Sequence, residues 1–152
     1  MTTSAQKITL FLARVALGWL FFYAGITKVL NPNWSANGFL VGAKTFGAFY
    51  QSLTTPNIMP FINFINEWGL TLLGISLILG IFVRLSSIFG AVLMLLYYFP
   101  ILQFPYPNAN SYIVDEHIIY ALILLFFAAL RAGRIMGFDS VLKSSSRVSW
   151  LG

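Results

Sequence analysis

Residues 8–30 read ITLFLARVALGWLFFYAGITKVL. A helix needs about 20 mostly apolar residues to cross the roughly 30 Å hydrocarbon core of a bilayer. This run is long enough, and only Arg14 and Lys28 charge it. Arg14, Gly18, Phe21, Gly25 and Lys28 follow one another at steps of 4, 3, 4 and 3. Such steps keep all five on one seam of a helix. Small residues on a seam let helices approach closely inside a membrane. Both charges are therefore expected on a packed face, with Arg14 roughly 9 Å into the hydrocarbon at 1.5 Å per residue.

Three further apolar runs follow, over about 60–82, 85–104 and 112–130. The bilayer offers no partners to bare backbone groups, so each run that crosses it must be helical. The runs are continuously apolar rather than alternating, which excludes a β-barrel. The pattern predicts an all-α integral membrane four-helix bundle: one domain over residues 1–143 and a flexible polar tail over 144–152. The first run exceeds a signal-peptide core of about 7–15 residues, so it is expected to stay as a span.

Composition agrees. The 152 residues are 59% hydrophobic and 9% charged, whereas a water-facing domain needs about 25% charged residues. Cysteine is absent and there is one histidine. Thiolate chemistry is thereby excluded, and no metal site, haem or iron–sulfur cluster is expected within the chain. The net charge of +5 is spread along the spans, so nucleic acid is not an expected partner. With both termini inside, Lys7, Arg14, Arg84, Arg131, Arg134, Lys143 and Arg147 fall on the inner side, and only Lys28 and Lys44 on the outer. The positive-inside rule then places both termini in the cytoplasm. Only Val83–Arg84 separates the second and third runs, which predicts a tight antiparallel hairpin.

Between the first two spans, Phe39, Phe46, Phe49, Tyr50 and Leu53 form an apolar stripe at helical spacing. It reads as an amphipathic helix lying in the outer interface. In the second span, Asn63, Glu67, Thr71, Gly74, Ile78 and Ile81 form a seam. The fourth opens with Asp115, Glu116 and His117, followed by Tyr120. Lys28, Glu67 and His117 then share a similar depth near the outer face. Ionisable groups inside a membrane are costly and mark function by default. A histidine beside a carboxylate exchanges protons near neutral pH. Lys28, Glu67, His117 and Tyr120 are thus the candidate substrate- or quinone-binding residues, with Glu67 and His117 the catalytic candidates. Asp115 and Glu116 are expected at the pocket mouth, under the interfacial segment. Arg14, Arg84 and Asp139 are expected to form structural ion pairs on the inner side, with Arg14 paired to Asp139.

Residues 14–28 read RVALGWLFFYAGITK, 67–84 read EWGLTLLGISLILGIFVR, and 131–139 read RAGRIMGFD. In combination these resemble the DoxX family of small four-helix membrane proteins, which includes the DoxD-type small subunit of thiosulfate:quinone oxidoreductase. The resemblance implies a subunit of a redox complex in a prokaryotic cytoplasmic membrane. For DoxD-type members it implies electron transfer from thiosulfate to quinone, with tetrathionate as product. No residue here is an evident thiosulfate oxidation centre, so other membrane or redox subunits are expected partners beside the lipid. Two functions stand nearly level: a quinone-linked oxidoreductase subunit, and a non-catalytic accessory subunit that stabilises a larger complex. A transporter is disfavoured by the dry stretch between Ile75 and Leu95.

Overall fold

The computed structural model describes residues 3–142. The predicted tail over 144–152, which includes Arg147, lies outside them, as does Lys143. Helices α1 (Ser4–Val29), α4 (Met59–Leu79) and α5 (Val83–Ile101) are long and apolar enough to cross a membrane. A fourth apolar helix, α6 (Glu116–Leu130), is shorter at 15 residues. Two short helices, α2 (Asn37–Val41) and α3 (Gly47–Ser52), bridge α1 to α4. A 3₁₀ turn (Ala132–Arg134) and α7 (Asp139–Leu142) follow α6. Among the described residues the only β-type pairings are two isolated bridges.

α1 starts at a capping box. The Thr3 hydroxyl accepts from the Gln6 amide (3.3 Å), and Gln6 Oε1 accepts from the Thr3 amide (2.8 Å). These bonds satisfy amides that a helix start leaves free. α1 then packs along α4, and α5 along α6. The buried residues of α1 are Arg14, Leu17, Gly18, Phe21 and Gly25: four of the five that the spacing predicts, with Leu17 added and Lys28 half-buried at the end of the seam. A methyl at Gly25 would strike the Thr71 amide and hydroxyl, and one at Gly18 would meet Leu77 Cβ at 2.9 Å. The glycines hold the two backbones closer than any side chain permits.

On α4 the seam is rotated from the predicted one. Asn66, Leu70, Thr71, Leu73, Gly74 and Leu77 are buried, while Asn63 and Glu67 are half-buried. Steps of four and three from Asn66 track this core line better than steps from Asn63, because α4 packs against α5 as well as α1.

The boundaries differ from expectation where turn chemistry intervenes. The α4–α5 connection falls at residues 80–82, ahead of Val83–Arg84. Gly80 takes φ +72° and ends α4, a conformation glycine adopts without penalty. The amides of Phe82 and Val83, at the start of α5, donate to the Asp139 carboxylate at 2.8 and 3.1 Å. Likewise α6 begins at Glu116 rather than Tyr112. Asp115 caps it, accepting from the amides of His117 and Ile118 at 3.0 and 3.3 Å. A cap residue adopts extended backbone and so fixes where the helix can begin.

The connection 30–58 forms two helical turns rather than one amphipathic helix. Phe46, at φ 55°, separates them. The Lys44 amide donates to the Pro100 carbonyl (2.8 Å), and the Thr45 hydroxyl to that of Leu102 (2.6 Å). These bonds bend the segment onto the end of α5. Of the predicted stripe, Tyr50 is buried while Phe39, Phe46 and Phe49 are exposed. Pro100 has no N–H to give the Leu96 carbonyl four residues earlier. The Tyr50 hydroxyl supplies that hydrogen bond instead, at 3.0 Å. Burial raises the Tyr50 phenol above its ordinary range, so it remains a donor.

Candidate functional site

Where α1 and α5 end and α4 and α6 begin, all four long helices surround a cavity of about 400 Å³. Its walls are apolar and aromatic, among them Phe21, Leu70, Met94, Phe39 and Trp34. Lys28, Asn66, Tyr97, His117 and Tyr120 bring polar atoms to it. A largely apolar hollow with a few convergent polar groups is the usual form of a small-molecule site.

Each polar group has a local reason for its position. Lys28 ends the α1 seam, and its Nζ lies 5.2 Å from the ring centre of Trp34 and 5.9 Å from that of Tyr97. Two aromatic faces attract an ammonium and hold it in place. Tyr97 in turn donates to Asn66 Oδ1 at 2.5 Å, while Asn66 Nδ2 donates to the Ile62 carbonyl at 2.8 Å. Asn63 Oδ1 accepts from the Ala36 amide at 3.0 Å, pinning the α1–α2 loop over the cavity. Phe39 meets Tyr97 edge-on at 6.0 Å, and Tyr120 meets Phe21 edge-on at 5.8 Å.

His117 Nδ1 lies 2.7 Å from Asp115 Oδ2. The histidine side chain is 21% exposed and the carboxylate 1%. One carboxylate thus does two jobs, with Oδ1 capping α6 and Oδ2 orienting the imidazole. With Nδ1 held by Asp115, Nε2 is the ring nitrogen left for a ligand, as donor or acceptor according to protonation. The Tyr97 and His117 ring centres are 6.1 Å apart. Tyr97 therefore stands between the lysine and the histidine.

The structure brings Lys28, His117 and Tyr120 to one cavity and leaves Glu67 beside it. Glu67 acts on Lys28 electrostatically, but Asn66 is the α4 polar residue in the lining. One residue is about 100° around a helix, and the rotation of the α4 seam exchanges the two. Asp115 is a buried cap rather than a mouth residue, while Glu116 is exposed. Asn66 was legible as a step of four before Leu70. Trp34 and Phe39 carried no signal beyond aromatic character, because a loop brings them in.

At the opposite end Arg14 is fully buried. Its Nη1 donates to the Ala132 carbonyl (2.8 Å) and Nη2 to that of Met136 (3.0 Å). The expected Arg14–Asp139 pair is thus not a direct one. The guanidinium bonds carbonyls just beyond α6, Asp139 bonds the first amides of α5, and the two charges act on each other through space. Carbonyls and amides fit this role because helix ends leave those groups unsatisfied. A methyl at Gly80 or Gly137 would stand 2.6 or 2.5 Å from Arg14 Nη1, which explains two of the glycines there. Arg84 has an interaction of its own among the described residues.

The fold and the cavity define an integral membrane protein of packed apolar helices with a polar-lined pocket at one end of the bundle. The DoxX family profile matches residues 9–102, and the chain belongs to that family. The match spans α1 to α5, so Asp115, His117 and Tyr120 lie beyond it. No curated protein and no solved structure matches the chain.

Proposed function

We propose that this chain is the membrane-embedded subunit of a quinone-linked redox complex, and that the cavity between Lys28 and His117 takes the quinone ring. The observation that carries the reading is the lining. Aromatic and aliphatic walls suit a flat ring, while an ammonium and an imidazole nitrogen offer hydrogen bonds to its oxygens. In this reading α6 is the fourth crossing, α2 and α3 lie in the outer interface, and both termini are cytoplasmic.

A quinone accepts two electrons and two protons to become a quinol. The electrons come from a redox partner subunit, since this chain has no cysteine. In a complex of the DoxD type two thiosulfates, oxidised at the partner subunit, would supply them and join as tetrathionate. His117 gives a proton from Nε2, with Asp115 stabilising the charged imidazole and keeping the ring turned to the cavity. The exposed part of His117 lets it recover a proton from outside and act again. Lys28 balances negative charge that builds on the ring oxygens, an electrostatic role that gains strength where water is excluded.

Quinone-reductase turnover of the purified native complex tests this. His117→Gln and Lys28→Met should each abolish it while the chain remains inserted and assembled. Full turnover in both variants rules the reading out. A groove of about 640 Å³ between α4 and α5, lined by residues such as Leu72, Ile75, Phe89 and Val92, favours a second reading as an accessory subunit that lays this face on a neighbour. That reading predicts stable co-purification with a partner and no ring binding.

A further inference from the structure

The hydrogen-bonding capacity around the cavity is spent unevenly. Asn66 has committed its oxygen to Tyr97 and its amide to Ile62. Asp115 has committed Oδ1 to two amides and Oδ2 to His117. Lys28 is different. Among the described residues it makes no hydrogen bond and no ion pair within 4.0 Å, and two ring faces flank its ammonium. Glu67 acts on it through space but is not in the lining. The cavity therefore presents a cation with three N–H donors and no direct anionic partner.

A charge in an apolar enclosure is most stable against an opposite charge that also takes its hydrogen bonds. We propose that the cavity selects a planar ring carrying one ionised oxygen, such as a ring-hydroxylated quinone, with Lys28 as its direct counter-ion. The proposal rests on reading the cavity as a quinone-type site and names the class of ring that site prefers. The ionised oxygen meets Lys28 Nζ, the ring lies among Phe21, Met94 and Phe39, and His117 Nε2 reaches an oxygen on the far side of Tyr97.

The test is binding to the purified full-length protein in detergent, by titration calorimetry and by quenching of tryptophan fluorescence, to which Trp34 contributes from the cavity lining. The probes are a hydroxynaphthoquinone, ionised at neutral pH, its O-methyl ether, and dodecanoate. A charge-assisted hydrogen bond supports a preference of about tenfold or more for the ionised ring over the ether. Lys28→Met should erase that preference and Lys28→Arg should keep most of it. Comparing ratios between proteins cancels the probes' unequal partition into micelles. Equal binding of ring anion and ether, or a preference that survives Lys28→Met, overturns the proposal and leaves the quinone reading standing. Dodecanoate competing as well as the ring anion overturns the requirement for a ring. Failure of both ring probes to bind a protein that elutes as one species and melts cooperatively overturns the proposal and the quinone reading together. Lys28→Arg keeps the test decisive should Lys28→Met fail to fold.

Discussion

Replacing Gly74 by alanine should destabilise the protein, whereas the same change at Gly69, five residues earlier on the same helix, should not. A Cβ at Gly74 would stand 2.5 Å from Phe22 Cα and 2.6 Å from Phe22 Cβ, and would also strike the Phe22 amide nitrogen. Carbon atoms rest at about 3.5–4.0 Å, so α1 must retreat from α4 by roughly 1 Å. Backbone cannot swing aside as a side-chain tip can. Overpacking of this kind costs about 1–3 kcal/mol, and the better helix propensity of alanine returns up to about 1 kcal/mol. A net loss of about 1–2 kcal/mol corresponds to a drop in Tm of roughly 2–8 °C for a chain of this size. At Gly69 the new methyl would lie 3.8 Å from Ile65 Cγ2 and 4.0 Å from Leu93 Cδ2. That is ordinary contact, and the variant should match the parent or exceed it. Thermal melting in one detergent, with both variants side by side, checks this. Equal melting of the two would refute the close approach of α1 and α4.

Other changes follow from single bonds. Arg14→Met should cost about 2–6 kcal/mol, because it leaves the buried Ala132 and Met136 carbonyls without donors at about 1–3 kcal/mol each; Arg14→Lys should not restore the melting temperature, because an ammonium lacks the guanidinium fork that serves two carbonyls. Tyr50→Phe should cost about 1–2 kcal/mol by leaving the Leu96 carbonyl without its donor, and hydrogen exchange at the end of α5 should rise. Asp115→Ala should remove a helix cap worth about 1 kcal/mol and free the His117 ring, so quinone turnover should fall further than the melting shift alone accounts for. Asp115→Asn keeps a capping oxygen and should melt closer to the parent.

The α1 seam was legible because both the charges and the glycines obeyed one period. Arg14, Gly18, Phe21 and Gly25 needed no knowledge of any partner helix. The α4 seam was legible only to within one residue. Glu67 drew attention as the charged residue, yet burial on α4 is decided by which side meets both α1 and α5, and Asn66 takes that side. Lys28, His117 and Tyr120 meet because residues near helix ends at one side of an antiparallel bundle share a height, which counting from span boundaries captures. The loop contribution was not legible. Trp34 and Phe39 reach the cavity on a loop that Asn63 pins at the Ala36 amide and that Lys44, Thr45 and Tyr50 bend onto the end of α5, and no periodicity records such bonds. The Arg14 knot was placed at the correct end but misread as a salt bridge, since sequence shows charges and hides the unsatisfied backbone groups that compete for them.

The two ends of the bundle do different work for a common reason. α1 and α4 form one closely approached pair, and α5 and α6 form another. Arg14 reaches from α1 to the chain just past α6, and Asp139 reaches from there to the first turn of α5. Phe138 and Asp139 also donate their amides to the last carbonyls around the end of α4, at 3.2 and 2.8 Å. All four long helices are therefore tied together at this end by bonds to helix termini, where donors and acceptors are otherwise unpaired. At the opposite end Tyr97 of α5 bonds Asn66 of α4, but among the described residues no comparable set of bonds joins all four helices there. Lys28, Asn66, Tyr97 and His117 come one from each helix there, and they line a hollow instead of closing it. A bundle fastened at one end can keep polar side chains around a cavity at the other without losing its helix order. The lysine and the histidine belong to different pairs, so their separation is set by how the pairs are fastened. A change at Arg14 should on this argument widen or collapse the cavity as well as lower stability. Ring-probe affinity should then fall in Arg14→Met even below its melting temperature, although Arg14 touches no part of the cavity.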